Sequence, residues 1–537
     1  MQPILIEYLY MVLIILALVV LANKVKIAYP IILVIGGLLL SFLAEFSHVG
    51  INPEIVFLIF LPPLLYEAAW QTSWKEFWKW RRVITSFAFP VVIITSIIIA
   101  IFSSSYIPGF TLALGFLLGG IISPPDAVSA TTIMRQVNAP KYLVSIIEGE
   151  SLLNDASSLI VFRFALAAVL TGQFDLKEAT LSFVLVILMG LLIGLLIGLL
   201  IYLLHRFLPL TPSIETVLTL ITPYAMYYAA EHYHYSGVLA VVSGGLLLSS
   251  QRQKMLSYQS RLQGVNVWGN LVFVFNGFIF LLIGLQLPAI TTDLGTISLK
   301  SAIGYGIAIS AVLILTRLAS SFGAAGFTKI VSRFITVADP NPGWKMPLIA
   351  GWAGMRGVVS LAAALSIPIA LPGGESFPLR NLILFITFVV ILMTLVFQGL
   401  TLPWLIKKIN ITDKYSTIDE EEQHRFIRKK LALISKEHLN TRYEKETTEN
   451  SYVSNLLNRL ETDLHIFGHH PNGNPEFQSD TLIRFYHIQL DLLETQRNLL
   501  THMNRKQEFD EELIRKYFTL LDLEEYRIRE NGLTLLR

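Results

Sequence analysis

Glu150-Ser151-Leu152-Leu153-Asn154-Asp155 leads into apolar and small residues that continue through Ala167 and Ala168. A run of that length and apolarity has to cross a bilayer, yet it opens on carboxylates. An ionisable side chain in hydrocarbon costs roughly 2.5–3.5 kcal/mol on insertion scales, so a chain accepts one chiefly where the charge binds something. At about 100° per residue, Ser151, Asn154, Asp155 and Ser158 stand at i, i+3, i+4 and i+7 and share one helix face, with Glu148 and Glu150 on its flank. That face offers carboxylate, amide and hydroxyl oxygens, the hard ligands that an alkali cation takes. A polar seam that glues helices together would account for the hydroxyls, but it does not need Asp155. The hexad points to cation transport.

The rest of the chain agrees with a membrane setting. Of 537 residues, 53% are hydrophobic and only 15% charged, whereas soluble domains carry about 25% charged residues; the mean hydropathy is +0.59. Thirteen apolar segments follow one another from 4–22 to 380–406. After Lys407-Lys408 the composition turns charged and helix-patterned, which predicts a membrane domain over 1–407 and a helical cytoplasmic tail over 408–537. Alternate loops carry fifteen lysines and arginines, from Lys24 and Lys26 to Lys345, against Lys177, Lys300 and Arg380 in the others. The positive-inside rule then sets the N-terminus outside and the tail in the cytoplasm. The first segment has no basic n-region or cleavage site and reads as a retained helix. The absence of cysteine excludes disulfides, thiol catalysis and Cys-ligated metals. No catalytic motif or nucleic-acid-binding pattern accompanies the carboxylates, and neither enzyme activity nor a resident cofactor is expected.

Two segments must break. The fifth, 110–134, contains Ser123-Pro124-Pro125-Asp126; two prolines remove amide donors and clash with the preceding turn. Broken backbone at membrane depth is tolerated only where protein or a cavity surrounds it. Asp126 there suits the N-terminus of the second half-helix or serves as an ion ligand. The twelfth, 346–371, contains Gly351-Trp352-Ala353-Gly354-Met355-Arg356-Gly357. Interruptions at corresponding places in two halves mark a transporter site at an inverted-repeat interface. Arg356 needs a partner in the membrane, and Glu150 is the candidate. Glu67, near the cytoplasmic end of the third segment, is a gate, an accessory ligand or an interfacial charge. Arg163 and Arg317 receive no partner from sequence. Trp74, Trp78 and Trp80, among lysines and arginines, read as an interfacial belt. Gly190, Gly194 and Gly198 form a small-residue ladder for close helix packing, within the protomer or between protomers. In the tail, His469-His470 reads as an exposed turn.

Four segments in order, the third-segment Pro-Leu-Leu-Tyr-Glu ending at Glu67, Pro-Pro-Asp-Ala at 124–127, Glu-Gly-Glu-Ser-Leu-Leu-Asn-Asp ending at Asp155 and Gly-Met-Arg-Gly-Val-Val-Ser at 354–360, resemble the monovalent cation:proton antiporters of the NhaP and Na⁺–H⁺ exchanger type. The resemblance covers about residues 1–407. It implies an all-α polytopic fold of about thirteen transmembrane helices with inverted repeats and two broken, crossing helices. Asp155 becomes the carrier that binds Na⁺ (or Li⁺) and H⁺ in competition, with Asn154 and Ser151 close by, Glu67 near the same site and Asp126 on the unwound fifth helix. Glu150 and Arg356 become a structural ion pair. Elevator-type alternating access against a homodimer scaffold, in a plasma (inner) membrane, belongs to the same picture, with a role in pH regulation. Asparagine rather than a second aspartate at 154 implies electroneutral, one-for-one exchange. One departure is Pro125, where some relatives have threonine, so no hydroxyl is offered to the ion there. K⁺/H⁺ or mixed-cation exchange, a membrane cation sensor and a channel are the competing readings; a channel would dissipate a cation gradient without moving protons.

Overall fold

The computed structural model describes residues 2–43, 56–172, 176–292, 297–334, 337–371, 374–411, 415, 420–468, 475–503 and 511–533; His469-His470 falls outside them. The chain divides into two compact units, Met1–Asp413 and Lys414–Arg537.

The first unit is all-helical among its described residues, apart from one isolated bridge between Ala370 and Ser376. Where they are described, the apolar segments fall on helices or helix pairs. Among the described residues, seven continuous helices are long and apolar enough to cross a membrane, including Trp74–Tyr106, Lys141–Thr171 and Leu299–Val331. The order is α1 (Gln2–Val25), α2 (Tyr29–Leu40), α3 (Leu61–Gln71), α4 (Trp74–Ser86), α5 (Val92–Tyr106), α6 (Leu112–Ile122), α7 (Ala127–Gln136), α8 (Lys141–Thr171), α9 (Leu176–Phe207), α10 (Pro212–His232), α11 (Gly237–Met255) and α12 (Tyr258–Leu285). A short turn of helix, Leu287–Thr292, precedes α13 (Leu299–Val331), α14 (Lys345–Trp352), α15 (Val358–Leu365), α16 (Arg380–Met393) and α17 (Gly399–Ile409). This is a multi-pass membrane protein.

Both predicted interruptions are present. Ser123-Pro124-Pro125-Asp126 separates α6 from α7, and Ala353 to Gly357 separate α14 from α15. Each broken helix lies between two long ones: α4–α5 and α8 flank the first, α13 and α16–α17 the second. That recurrence is the repeat anticipated from sequence. Phe87–Val91, which contains Pro90, and Thr394–Gln398 are π-helical turns inside the flanking helices, the first in the helix before its break and the second in the helix after its break.

Glycines set the tightest crossings. A Cβ at Gly190 would stand 2.8 Å from the carbonyl oxygen of Ser236, and one at Gly194 would collide with the Ala240 carbonyl and Ser243 Oγ. The glycine ladder therefore packs α9 on α11 within the protomer, which resolves the choice left open by sequence. Gly37 and Gly284 bring α2 and α12 together in the same way.

The second unit contains α18 (Glu420–Arg442), α19 (Ser451–Gly468), α20 (Pro475–Met503) and α21 (Glu511–Leu533). Lys436 Nζ meets Glu461 Oε1 at 2.7 Å between α18 and α19, and Arg497 meets Asp522 at 2.7 Å and Glu525 at 2.5 Å between α20 and α21. Arg529 and Arg497 hold the Glu525 carboxyl below the usual carboxylate range.

Candidate functional site

The two interruptions touch. The backbone N–H of Asp126 donates to the Met355 carbonyl at 2.7 Å, one break against the other. Each break leaves orphan groups: carbonyls at the ends of α6 and α14, N–H groups at the starts of α7 and α15.

Arg356 serves the carbonyl ends. Its Nε donates to Ile122 O at 2.6 Å, Nη2 to Ser123 O at 3.0 Å and Nη1 to Gly354 O, while its own backbone N–H donates to Thr394 Oγ1 at 3.1 Å. It is 1% exposed. A cation at helix C-termini meets both the unpaired carbonyls and the negative end of the dipole. The N-terminal ends are served by oxygens. Asp126 Oδ1 caps α7 by accepting from Val128 N at 3.0 Å, and Ser151 Oγ accepts from Ala127 N at 3.3 Å. Asp126 Oδ2 lies where a Cβ on Gly357 would fall, so glycine at 357 is what lets the start of α15 approach this carboxylate.

The expected Glu150–Arg356 pair gives way to a different one. Glu150 takes a two-pronged contact from Arg317 on α13, Nη1 to Oε1 at 2.7 Å and Nη2 to Oε2 at 2.8 Å, with the two side chains 1% and 3% exposed. The physical reason is geometric: a planar guanidinium reaches both carboxylate oxygens at once from α13, while the donors of Arg356 go to the carbonyl ends beside it. Arg163, also unpartnered in the sequence reading, meets Glu231 Oε2 of α10 at 2.6 Å.

Asn154 and Asp155 sit on α8, 0% and 6% exposed. Asn154 Nδ2 donates to the Pro125 carbonyl at 3.1 Å; its Oδ1 has no hydrogen-bond partner among the described residues. Thus Pro125, which lacks the hydroxyl some relatives offer, contributes its carbonyl to α8. Asp155 faces a cavity of about 310 Å³ whose lining includes Glu67, Asp126, Ser151, Thr131, Thr132 and Asn276. Five sequence-predicted residues, Glu67, Asp126, Ser151, Asn154 and Asp155, are thereby brought to one site, four lining the cavity and Asn154 bracing the break beside it. Glu150 and Arg356 do not line it. Arg135 and Glu148, 2.7 Å apart, lie at its exposed end, where Gln71 donates to Glu67 Oε1.

Sequence reasoning missed Thr131, Thr132 and Asn276, and with them Tyr29, which lies beside Thr132 and Asn276. For Asn276 a signal existed: it is a lone amide in the otherwise apolar Val272 to Leu282 stretch of α12. Carboxylate, amide and hydroxyl oxygens around a small space suit a desolvated monovalent cation, and a buried carboxylate can take a proton in its place.

Comparison with known proteins follows the same line. Residues 11–408 match the family described as "Sodium/hydrogen exchanger, transmembrane". The chain is 32% identical over 436 residues to a "Sodium, potassium, lithium and rubidium/H(+) antiporter" of Bacillus pumilus, a match that takes in 78% of this chain and 64% of the length of that relative. It is 32% identical over 530 residues to the "Uncharacterized Na(+)/H(+) exchanger YjcE" of Escherichia coli, covering 94% of this chain and 95% of the other. Among solved structures, the sodium proton antiporter MjNhaP1 of Methanocaldococcus jannaschii superposes with a TM-score of 0.57 at 18% identity, over 76% of this chain and 99% of that one, which is a likeness of fold. The chain belongs to the sodium/hydrogen exchanger family.

Proposed function

We propose that the protein exchanges Na⁺ or Li⁺ for H⁺, with Asp155 binding cation and proton in competition. The observation that carries this reading is the placement of one buried carboxylate, Asp155, in an oxygen-lined cavity beside two abutting broken helices. Deprotonated Asp155 holds the cation with help from Ser151, Asp126 and Asn154; protonated Asp155 releases it. Glu67, at the end of the cavity with Arg135 and Glu148, stands on the entry path. Either occupancy cancels the charge of the carboxylate, so the site moves between faces without an uncompensated charge in hydrocarbon. One proton per cation follows from asparagine at 154, and the exchange is electroneutral.

The membrane domain over 1–407 crosses the bilayer thirteen times with the N-terminus outside, and the tail over 408–537 is cytoplasmic; the fifteen-to-three distribution of loop cations supports this. Residues 71, 135 and 148 then lie at the cytoplasmic face, and the cavity opens inward. The broken helices with α8 and α13 move as an elevator against a homodimer scaffold, in the plasma membrane of a cell whose pH this exchange regulates. Mixed-cation or K⁺/H⁺ exchange is the second reading, supported by the four-ion name of the Bacillus relative and by a ligand set that does not rank alkali ions by itself.

Proteoliposomes with an internal pH dye and an imposed ΔpH test both. Addition of Na⁺, Li⁺, K⁺ and Rb⁺ in turn should drive proton movement that Asp155→Asn abolishes. No proton movement with any of the four, in correctly folded protein, would leave the sensor or channel readings in place of exchange.

A further inference from the structure

Three helix ends that lie at one face of the membrane unit enclose a second, larger space. The start of α4, the end of α11 and the end of α13 form its rim, and its walls continue inward along α9 to Leu191 and along α8 to Leu153. Its volume is about 1230 Å³. The walls are mainly leucine, valine and phenylalanine, with Thr85, Ser86, Ser243, Ser250, Gln251 and Thr328 among them; the charged side chains that line it are Lys79, Arg81 and Arg82, all cationic and all on α4. Trp74 and Trp78 flank them, with the Arg81 guanidinium 4.4 Å from the Trp78 ring and Lys79 Nζ 5.5 Å from the Trp80 ring. Asp339 follows Val337 and Ala338, which line the groove, and borders an adjoining small cavity that shares Val83, Ser86 and Thr328 with it.

Trp74–Tyr106 is one helical stretch of 33 residues, about 50 Å at 1.5 Å per residue, against roughly 30 Å of hydrocarbon. The first turns of α4 therefore stand in the headgroup layer, with tryptophans and basic side chains at the depth where each is favoured. The space below them is apolar and reaches membrane depth. A cationic, aromatic rim above an apolar cleft between membrane helices has the polarity profile of one lipid molecule, phosphate at the top and chains below.

We propose that this groove is a binding site for an anionic phospholipid of the leaflet that α4 borders, its phosphate held by Lys79, Arg81 and Arg82 and an acyl chain lying along α9 and α11 to Leu153. Because Leu153 adjoins Asn154 and Asp155 on α8, the occupant touches the helix that carries the exchange site from the side opposite the cavity. The proposal stands on the groove and the charge of its rim, independently of which cation is exchanged.

The test is native mass spectrometry of the full-length protein after equilibration with mixed micelles of phosphatidylglycerol and phosphatidylcholine. Wild type should retain phosphatidylglycerol selectively. Replacing Lys79, Arg81 and Arg82 by glutamine should lower that retention by about fivefold per basic residue, while the control Lys24→Gln, Lys26→Gln, Lys407→Gln, which removes the same charge outside the groove, should leave it unchanged. A second variant, Leu195→Trp, blocks the cleft without altering charge and should also displace the lipid. Equal loss in the control, indifference to Leu195→Trp, or equal retention of phosphatidylcholine overturns the proposal, as does full competition by glycerol phosphate, which has a headgroup and no chains. Folding of each variant is read from the thermal transition of the same sample, and exchange in phosphatidylcholine vesicles is measured separately, so failure of the lipid site and failure of the exchange reading are distinct results.

Discussion

Removing the carboxylate at 150 is expected to damage the fold before it damages the chemistry. Glu150 and Arg317 are 1% and 3% exposed and share two hydrogen bonds of 2.7 and 2.8 Å. With Glu150→Gln, the guanidinium keeps a 3.4 Å contact to the Ala350 carbonyl and the face of Phe87, 5.9 Å away, and neither neutralises it. Breaking a buried pair on one side costs about 3–5 kcal/mol, which for a unit of this size lowers the melting temperature by about 5 °C. Thermal unfolding of the detergent-solubilised full chain, followed by tryptophan fluorescence and size exclusion, measures it. A double-mutant cycle identifies the partner. Glu150→Gln combined with Arg317→Gln leaves no isolated charge and should recover about 1–3 kcal/mol of the summed single losses. Glu150→Gln combined with Arg356→Gln should come closer to additivity, because Arg356 donates to the Ile122, Ser123 and Gly354 carbonyls and not to Glu150. Coupling to Arg356 as strong as that to Arg317 would refute the reasoning.

Asp155→Asn should reduce cation-driven proton movement to that of protein-free vesicles while the thermal transition stays within a few degrees of wild type; retained exchange would move the carrier elsewhere. Wild-type exchange should not respond to an imposed membrane potential, and a rate that follows the potential would contradict one-for-one stoichiometry. Gly194→Ala drives a Cβ into the Ala240 carbonyl and should cost about 1–3 kcal/mol in the same melts, whereas Gly304→Ala, with no atom within 4 Å of the added carbon, should be neutral or slightly stabilising. In the tail, Arg529 and Arg497 depress the Glu525 carboxyl, so its contribution is present above the ordinary glutamate value of about 4.3 and is lost as pH falls through the depressed one. Hydrogen exchange of the α20–α21 helices on the full chain should accelerate over that acid window in wild type and show less pH dependence with Glu525→Gln.

Local grammar was legible in the sequence and long-range partners were not. Two prolines beside Asp126 and three glycines around Arg356 announced both helix breaks, because a missing amide donor and a missing Cβ act on the residue that carries them. The shared face of Ser151, Asn154 and Asp155 followed from helical period alone. The partner of Glu150 is 167 residues away on α13, and nothing in the intervening chain distinguishes Arg317 from Arg356 as its mate. Arg163 and Glu231, 68 residues apart, show the same limit. Asn276 was visible as a polar residue in an apolar helix, but its place in the cavity depends on α12 packing beside α2 and α3, and helical period does not state which helix packs on which.

The arrangement of charge around the crossing has a consequence for how the site works. Arg356 answers the carbonyl ends of α6 and α14. Asp126 answers the N-terminus of α7 and, across Gly357, approaches that of α15; such ends each carry about half a positive charge. Glu150 and Arg317 cancel one another. Glu150, Arg317 and Arg356 thus have fixed counterparts and Asp126 answers helix N-termini, while Asp155 faces the cavity it shares with Asp126 and has no cationic side chain against it among the described residues. Under the proposed exchange, balance at Asp155 would be completed by the transported species, cation or proton, and an empty, deprotonated site is the state that hydrocarbon penalises. The prediction that goes with the proposal is exchange without slippage, the site crossing with either ion bound and stalling with neither. Neutralising Glu150, Arg317 or Arg356 should then register first in stability, and neutralising Asp155 first in transport.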